Sequence, residues 1–521
     1  MPNLMNESEQ GVREVLRPVH WLFLVSGLAV YLILRLPWVG HLLMWDEAMN
    51  LCSVRSFVAR GQDFYLSWFW HHPPLMGMAM SLLHPLQSGF AERSQLLFLL
   101  FGILNCLALF ALSRSTFGTR VALWAVFFYA VMPAAIFFDL WLKQDPLVAP
   151  FGLLSLYAFL SRRSLLAGAF LAISLLVKEV AVIFAIGVGI LWLLRPRESR
   201  RIRDLVWFAG AAAALSGWWY LRSDSPIWYF LALAIDSTSQ PTDAWVWARP
   251  WYYYLVKLWV DLGLVGILGS VTGVVVIGWL RRNCRHDEFP AIAWPLAVLV
   301  PAFILFSAAR AKTVWFPVPL YPMFAALQAI GLSAVLVAGE RWLMRIAERS
   351  PWLGAWWPRW IARAVALSVI VVSTSSVWGR DYERYLYAQD GGIWWGAAAS
   401  RQAAERINGS VKDGQKALIT PMSYWQYRDK EPCPIFVYYL KDIPVLVRPY
   451  DLSAQELVEA VREYQLDWAM VSPEGSVARA ALLEPLIRDC GVLPVFLHGA
   501  CIFRTDSIYK KEANPPSESR P

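Results

Sequence analysis

Apolar runs long enough, or nearly long enough, to cross a bilayer recur at about 20–36, 95–113, 120–138, 146–160, 165–177, 179–194, 205–221, 253–280, 290–308, 314–337 and 361–378. A helical span needs roughly 20 predominantly apolar residues, so the pattern predicts a mainly α, polytopic membrane protein of about eleven transmembrane helices. The stretch 165–194 reads either as one long helix or as two short ones broken at Lys178-Glu179. That choice inverts every loop downstream. With two helices, the arginine-bearing loops at 1–20, 114–120, 161–164, 195–204, 281–289 and 339–363 share one side, as the positive-inside rule asks. With one, the arginine-rich 195–204 loop falls outside. The two-helix reading places the N-terminus in the cytoplasm and the C-terminus outside. It assembles one external face from 37–94, 139–145, the Lys178 turn, 222–252, 309–313 and everything after 379. Residues 21–36 read as an uncleaved first helix, because mixed charge precedes them and no small-residue cleavage site follows.

From about 380 the pattern changes to that of a water-facing domain. Short apolar runs at 416–420, 444–447, 468–471 and 493–497 predict strands, and 453–464 predicts an amphipathic helix with Ser453 and Glu456 as a capping box. Strands alternating with helices indicate a small extracytoplasmic α/β domain. The expected organisation is a transmembrane domain over 1–379 with its first external loop at 37–94, an α/β domain over 380–509, and a polar, disordered tail at 510–521. No internal repeat is visible.

Composition narrows the class. Hydrophobic residues make up 57% of the 521 and charged residues only 17%, where a soluble chain carries about a quarter. The mean hydropathy is +0.43. The 29 tryptophans suit a membrane–water interface. A net charge of +8 does not indicate nucleic acid, because the positive residues sit in short loops between apolar runs, where they set topology. The six cysteines, Cys52, Cys106, Cys284, Cys433, Cys490 and Cys501, show no CxxC spacing. A zinc ribbon is therefore not supported, while a disulfide among the last three stays open for an exported domain.

The expected external face gathers the unusual polar residues. Trp45-Asp46-Glu47-Ala48 places two carboxylates just beyond the first apolar run. Ionisable groups so close to a membrane need water or a partner, and a carboxylate there can act as general base toward an acceptor hydroxyl. The plain alternative is a solvated loop. Asp145, ahead of a helix, serves equally as its N-cap or as a second external carboxylate; Asp139 is a weaker candidate, equally consistent with an exposed turn. Lys178 interrupts apolar sequence, where a cation is expensive, and is explained either by neighbouring Glu179 or by a phosphate. Arg310 and Lys312 occupy a short turn, and snorkelling cations are their bland reading. His71 and His72 form a candidate acceptor or metal loop, and two adjacent histidines decide neither. Pro73-Pro74 stiffens the return to the membrane. There is no P-loop, GxGxxG or Ser-His-Asp pattern, so no nucleotide cofactor is expected.

In this order the motifs resemble the GT-C superfamily of membrane glycosyltransferases, nearest to the protein mannosyltransferase and lipid A aminoarabinose transferase branch. The resemblance runs over about 20–340. It rests on Trp45-Asp46-Glu47-Ala48, His72-Pro73-Pro74-Leu75, Asp145-Pro146-Leu147, Leu176-Val177-Lys178-Glu179, and Lys312 before Trp315-Phe316-Pro317-Val318-Pro319-Leu320-Tyr321-Pro322. It implies a sugar donor on a polyprenyl phosphate, used on the extracytoplasmic side of the inner membrane. The acceptor would be a hydroxyl of a protein, lipid or cell-envelope glycan. By analogy Asp46, with Glu47, is the catalytic acid pair and Asp46 the general base of an inverting attack; Asp145 supports the site. Lys178, Arg310 and Lys312, joined by Arg222 and Arg249 on the 222–252 loop, would hold the lipid phosphate. Two departures stand: Glu179 replaces the glycine frequent after this lysine in the family, and the metal requirement at His71-His72 differs among relatives and stays open. The C-terminal domain resembles those appended to many bacterial members, where it helps recognise the acceptor.

Two rival classes make different demands. A transporter or flippase of polyprenyl-linked or amphipathic substrates calls for repeats and Gly/Pro-broken helices near the midplane. A binding module on a membrane scaffold leaves Asp46, Asp145 and Lys178 without a role.

Overall fold

A computed structural model describes residues 16–40, 43, 45–60, 73–83, 89–221, 250–284, 288–308, 312, 315–349, 361, 364, 368, 404–409, 415–419, 445–447, 453–471, 476–497 and 500–513. The chain divides into two compact units: Met1–Gly40 with Phe57–Arg384, and His41–Ser56 with Tyr385–Pro521.

In chain order the helices are α1 (Pro18–Arg35), α2 (Trp45–Arg60), α3 (Leu75–Ser81), α4 (Phe90–Phe117), α5 (Thr119–Val131), α6 (Pro133–Phe138), α7 (Asp145–Leu160), α8 (Ser164–Val177), α9 (Val182–Leu194), α10 (Ile202–Tyr220), α11 (Tyr253–Asn283), α12 (Trp294–Ala308) and α13 (Tyr321–Arg349). The apolar runs from 20–36 through 314–337 therefore fall on helices; the last, 361–378, lies almost wholly outside the described residues. Among the described residues, four helices are long and apolar enough to cross a membrane, and several shorter apolar helices accompany them.

The breaks have local causes. Met132 precedes a proline, which disfavours helical geometry at that residue; it is extended (φ −67, ψ 122) and α6 restarts with Pro133 in its first turn. The 165–194 run divides at Lys178, whose backbone is extended (φ −159, ψ 143) before a short 3-10 turn, Glu179–Ala181. α11, read from the sequence as one span, carries a non-helical Gly263 (φ 66, ψ 173), in a region of φ/ψ space essentially reserved for glycine. Small residues bring backbones together: a Cβ on Gly273 of α11 would lie 2.2 Å from the Leu327 carbonyl oxygen of α13, and one on Gly331 would lie 2.3 Å from the Gly269 oxygen. Such close approach suits helices that associate by van der Waals contact in lipid.

The second unit carries strands β1 (Ala417–Ile419), β2 (Val445–Val447), β3 (Trp468–Val471), β4 (Val495–Leu497) and β5 (Ala500–Arg504), with helices α14 (Ala454–Tyr464), α15 (Ser476–Cys490) and α16 (Asp506–Ala513). The sheet order is β2-β1-β3-β5-β4. β1 runs parallel to β2 and β3, and β5 is antiparallel to β3 and β4. Leu457 and Val461 of α14, Leu482 and Leu486 of α15, and Ala469, Val471, Cys501 and Phe503 of the sheet share one core, against which Cys490 packs; Cys433 lies outside the described residues. Ser453 caps α14 as expected: its Oγ accepts from the Glu456 N–H at 3.2 Å, while Glu456 Oε2 accepts from the Ser453 N–H at 2.8 Å.

β5 was not foreseen, and one expectation is corrected. The tail expected to be disordered from 510 is helical as far as Ala513, because Ile508 is buried and the Tyr509 hydroxyl donates to the Val461 and Leu466 carbonyls at 2.7 and 3.1 Å.

Candidate functional site

Asp46 and Glu47 do not sit in open loop. They occupy the first turn of α2, where the positive end of the helix dipole favours carboxylates. Asp46 is half-buried and Glu47 fully buried. Residues 45–56 of this helix belong to the second unit.

In the first unit the segment 139–144 crosses from α6 to α7 with both ends fixed by buried ion pairs. At its start, Arg35, the last residue of α1, donates from Nε to Asp139 Oδ2 at 2.9 Å. It also donates from Nη1 to the Ala130 oxygen at 2.8 Å and from Nη2 to the Tyr129 oxygen at 3.5 Å. Those carbonyls lie in the last turn of α5, where backbone partners run short; that of Tyr129 also accepts from the Met132 N–H at 3.3 Å. The Tyr129 hydroxyl donates to the other Asp139 oxygen at 2.7 Å, and the guanidinium lies 3.8 Å from the Tyr31 ring centroid. Asp139, for which an exposed turn was one of two open readings, is buried, because α1 supplies a cation that local sequence could not reveal.

At the far end, Lys178 Nζ donates to both Asp145 oxygens at 2.9 and 2.7 Å, with the side chains 5% and 1% exposed. Asp145 is the first residue of α7 and follows its N-cap, Gln144; Lys178 caps the C-terminal end of α8. Each charge meets the helix end of opposite polarity. The partner of Lys178 is Asp145 and not its neighbour Glu179, so the cation is compensated inside the fold. The Ser174 hydroxyl, donating to the Val148 oxygen at 2.8 Å, ties the same two helices.

Between these anchors the Lys143 ammonium lies 3.1 Å from the Trp315 ring centroid, a cation–π arrangement. Trp141 packs on Phe138 (4.7 Å between ring centroids) and on Trp315 (6.3 Å). A third buried pair joins Lys257 and Asp261 of α11 at 2.6 Å, one helical turn apart, and the Tyr321 hydroxyl donates to Asp261 at 2.8 Å. Lys257 stands 5.4 Å from the Phe138 ring centroid. Lys312 is buried, and burial pushes its ammonium pKa below the usual lysine value.

Of the residues singled out in the sequence, the structure brings Asp145 and Lys178 together. It places Lys312 near the start of the short turn that leads into α13. Arg310, Arg222, Arg249, His71 and His72 lie outside the described residues. Among the described residues no cluster of three or more His, Cys, Asp or Glu could hold a metal ion. Arg35, Lys143 and the Lys257–Asp261 pair were missed. The signal was an ionisable group inside or beside an apolar run, the rule that picked out Lys178.

Residues 71–219 match the sequence profile of the family described as dolichyl-phosphate-mannose-protein mannosyltransferase. No curated protein matches the chain by sequence. Solved structures do match its fold. ArnT from Cupriavidus metallidurans, bound to undecaprenyl phosphate, superposes with a TM-score of 0.60 at 14% identity, over 94% of this chain and 99% of that one. The chain shares that fold. Archaeal oligosaccharyltransferase AglB from Archaeoglobus fulgidus, in complex with an inhibitory peptide and a dolichol-phosphate, gives 0.55 at 12% identity, over 87% and 69% of the two chains. The mycobacterial arabinofuranosyltransferase AftD gives 0.50 at 14%, over 92% and 39%. All three structures share a helical fold with this chain.

Proposed function

We propose that the protein is an integral membrane glycosyltransferase that moves a sugar from a polyprenyl-phosphate donor to a hydroxyl acceptor on the extracytoplasmic face, with inversion. The observation that carries this reading is the GT-C fold over 94% of the chain, matched to a structure bound to undecaprenyl phosphate. Asp46, the half-buried member of the acidic pair, accepts the acceptor's hydroxyl proton as its oxygen attacks the anomeric carbon. Polyprenyl phosphate departs with the bonding electrons. Glu47, buried beside it in the helix turn, orients the pair. Lys312 and Arg310, with Arg222 and Arg249, hold the departing phosphate. Lys178 is reassigned: already neutralised by Asp145, it acts with it as a positioning pair for 139–145. About eleven spans, with the N-terminus cytoplasmic and the α/β domain outside the inner membrane, complete the scheme.

The test is transfer of radiolabel from a panel of polyprenyl-phosphate sugars to cell-envelope acceptors by purified wild type and Asp46→Asn, with folding verified. Transfer that collapses in Asp46→Asn supports the reading; equal rates remove Asp46 from the chemistry. A second reading, a lipid flippase, gains from the break at Gly263. It predicts movement of labelled lipid across vesicles with the sugar–phosphate bond intact.

A further inference from the structure

Lys257 and Asp261 hold one another inside α11 with both side chains 0% exposed, and neither has a part in the transfer scheme. Stability does not explain the pair, because apolar side chains of similar volume often serve as well or better. An ionisable group inside a membrane segment points instead to function. The contacts of the pair give its direction. Lys257 donates to Asp261 Oδ1 and Oδ2 at 2.6 and 2.7 Å, and Asp261 Oδ2 also accepts from the Tyr321 hydroxyl at 2.8 Å. Tyr321 opens α13 directly after the turn 315–320. In that turn the Val318 N–H donates to the Trp315 oxygen at 3.0 Å and the Leu320 N–H to the Pro317 oxygen at 2.8 Å. Lys312 stands three residues ahead of Trp315.

A second path ties the same turn to the same helix. Between ring centroids, Tyr254 of α11 lies 6.1 Å from Phe306 of α12, and Phe306 lies 5.6 Å from Phe316 of the turn. On the other side Tyr321 lies 6.4 Å from Phe138, and Trp315 lies 6.3 Å from Trp141. The turn is held between the start of α11 and the 138–143 segment. The break at Gly263 gives the hydroxyl bond its weight. C-terminal to the break, α11 and α13 meet backbone to backbone, through Gly273 against Leu327 and Gly331 against Gly269. At Gly263 itself φ is 66 and the helix is interrupted, so that close packing does not carry over to 253–262. There the Tyr321–Asp261 hydrogen bond joins the two helices, and a charged acceptor makes it one of the stronger kind.

We infer that Asp261, compensated by Lys257, acts through Tyr321 as a positioning group for the turn behind Lys312, and so sets the Lys312 ammonium against the donor's phosphate. The inference rests on the polyprenyl-phosphate reading proposed above. The test measures equilibrium binding of polyprenyl phosphate, and of polyprenol as the uncharged probe, to the full-length protein in nanodiscs. Wild type should bind the phosphate more tightly than the alcohol. Tyr321→Phe removes one hydroxyl and keeps the ring. It should weaken binding of polyprenyl phosphate about tenfold, the factor for losing a hydrogen bond to a charged group, and leave polyprenol binding unchanged. In a Lys312→Gln background the same substitution should have no further effect, since two changes acting through one contact are not additive. Loosened packing alone would cost the same in both backgrounds. Lys257→Met/Asp261→Leu/Tyr321→Phe, which leaves no member of the network unpaired, should fold and show the same loss as Tyr321→Phe. Full phosphate preference in either variant, or an equal loss with and without Lys312, overturns the inference and leaves the donor reading standing. A wild type without preference for the phosphate overturns the donor reading and the inference together.

Discussion

Asp145 and Lys178 stand 33 residues apart in sequence and 2.7 Å apart in the fold, and neither tolerates the loss of the other. Removing one partner of a buried pair leaves an uncompensated charge, at a cost of about 3 to 5 kcal/mol. Lys178→Met is therefore expected to lower the thermal midpoint sharply, and Lys178→Met/Asp145→Leu to recover much of it without recovering sugar transfer. A double variant with full activity would contradict the positioning role. Lys312 gives a pH prediction. Its pKa is lowered by burial, so its charge is lost at a lower pH than an exposed lysine's. The donor KM of wild type should rise early on the alkaline side, while Lys312→Arg, which stays charged, should hold a flatter profile; a flat wild-type profile removes Lys312 from phosphate binding. At this scale the sequence exposed single residues but not partners. Asp46 and Lys178 were legible because charge beside apolar runs is conspicuous. The pairing of Arg35 with Asp139 was not, because 104 residues separate the two. Lys257 and Asp261 were hidden as opposite charges one turn apart inside a strongly apolar run.

Elements were legible where a backbone rule marks their ends. The polar Lys178-Glu179 coincides with a real break, whereas 120–138 reads as a single run although Met132, ahead of Pro133, divides it. Gly263 does not announce its break, since glycine is frequent in membrane helices, and β5 starts only three residues after β4 ends, too close for the pattern to separate the two. Packing within α11 is tested by two glycines. Gly273→Ala should destabilise the protein, because its Cβ would meet the Leu327 carbonyl at 2.2 Å, whereas Gly278→Ala, with nothing within 4 Å, should be neutral or mildly stabilising. Equal thermal midpoints for the two would contradict the close α11–α13 packing. In the second unit, hydrogen bonds from the Ser453 hydroxyl and then its backbone hold the Glu456 carboxyl below its usual value. A depressed carboxyl stabilises above its unfolded pKa, and that contribution is lost as pH falls through the folded value. Amide protection of 454–464, corrected for intrinsic exchange, should therefore drop on acidification, and Ser453→Ala should flatten the dependence. Protection independent of pH in the wild type would contradict the capping role.

For the molecule as a whole, hydropathy made the membrane class and most helices legible, and ordered motifs pointed to the GT-C fold. The pairing that fixes 139–145 needed three dimensions. The central claim is the donor: a lipid-linked sugar whose bond to phosphate is broken on this scaffold. The direct measurement supplies purified wild type with a sugar labelled either on polyprenyl phosphate or on a nucleotide, and follows both glycosylated acceptor and released carrier. The account predicts transfer from the polyprenyl-phosphate donor alone, with one polyprenyl phosphate released per sugar moved. Transfer from the nucleotide sugar, or lipid translocation with the sugar–phosphate bond intact, would contradict it.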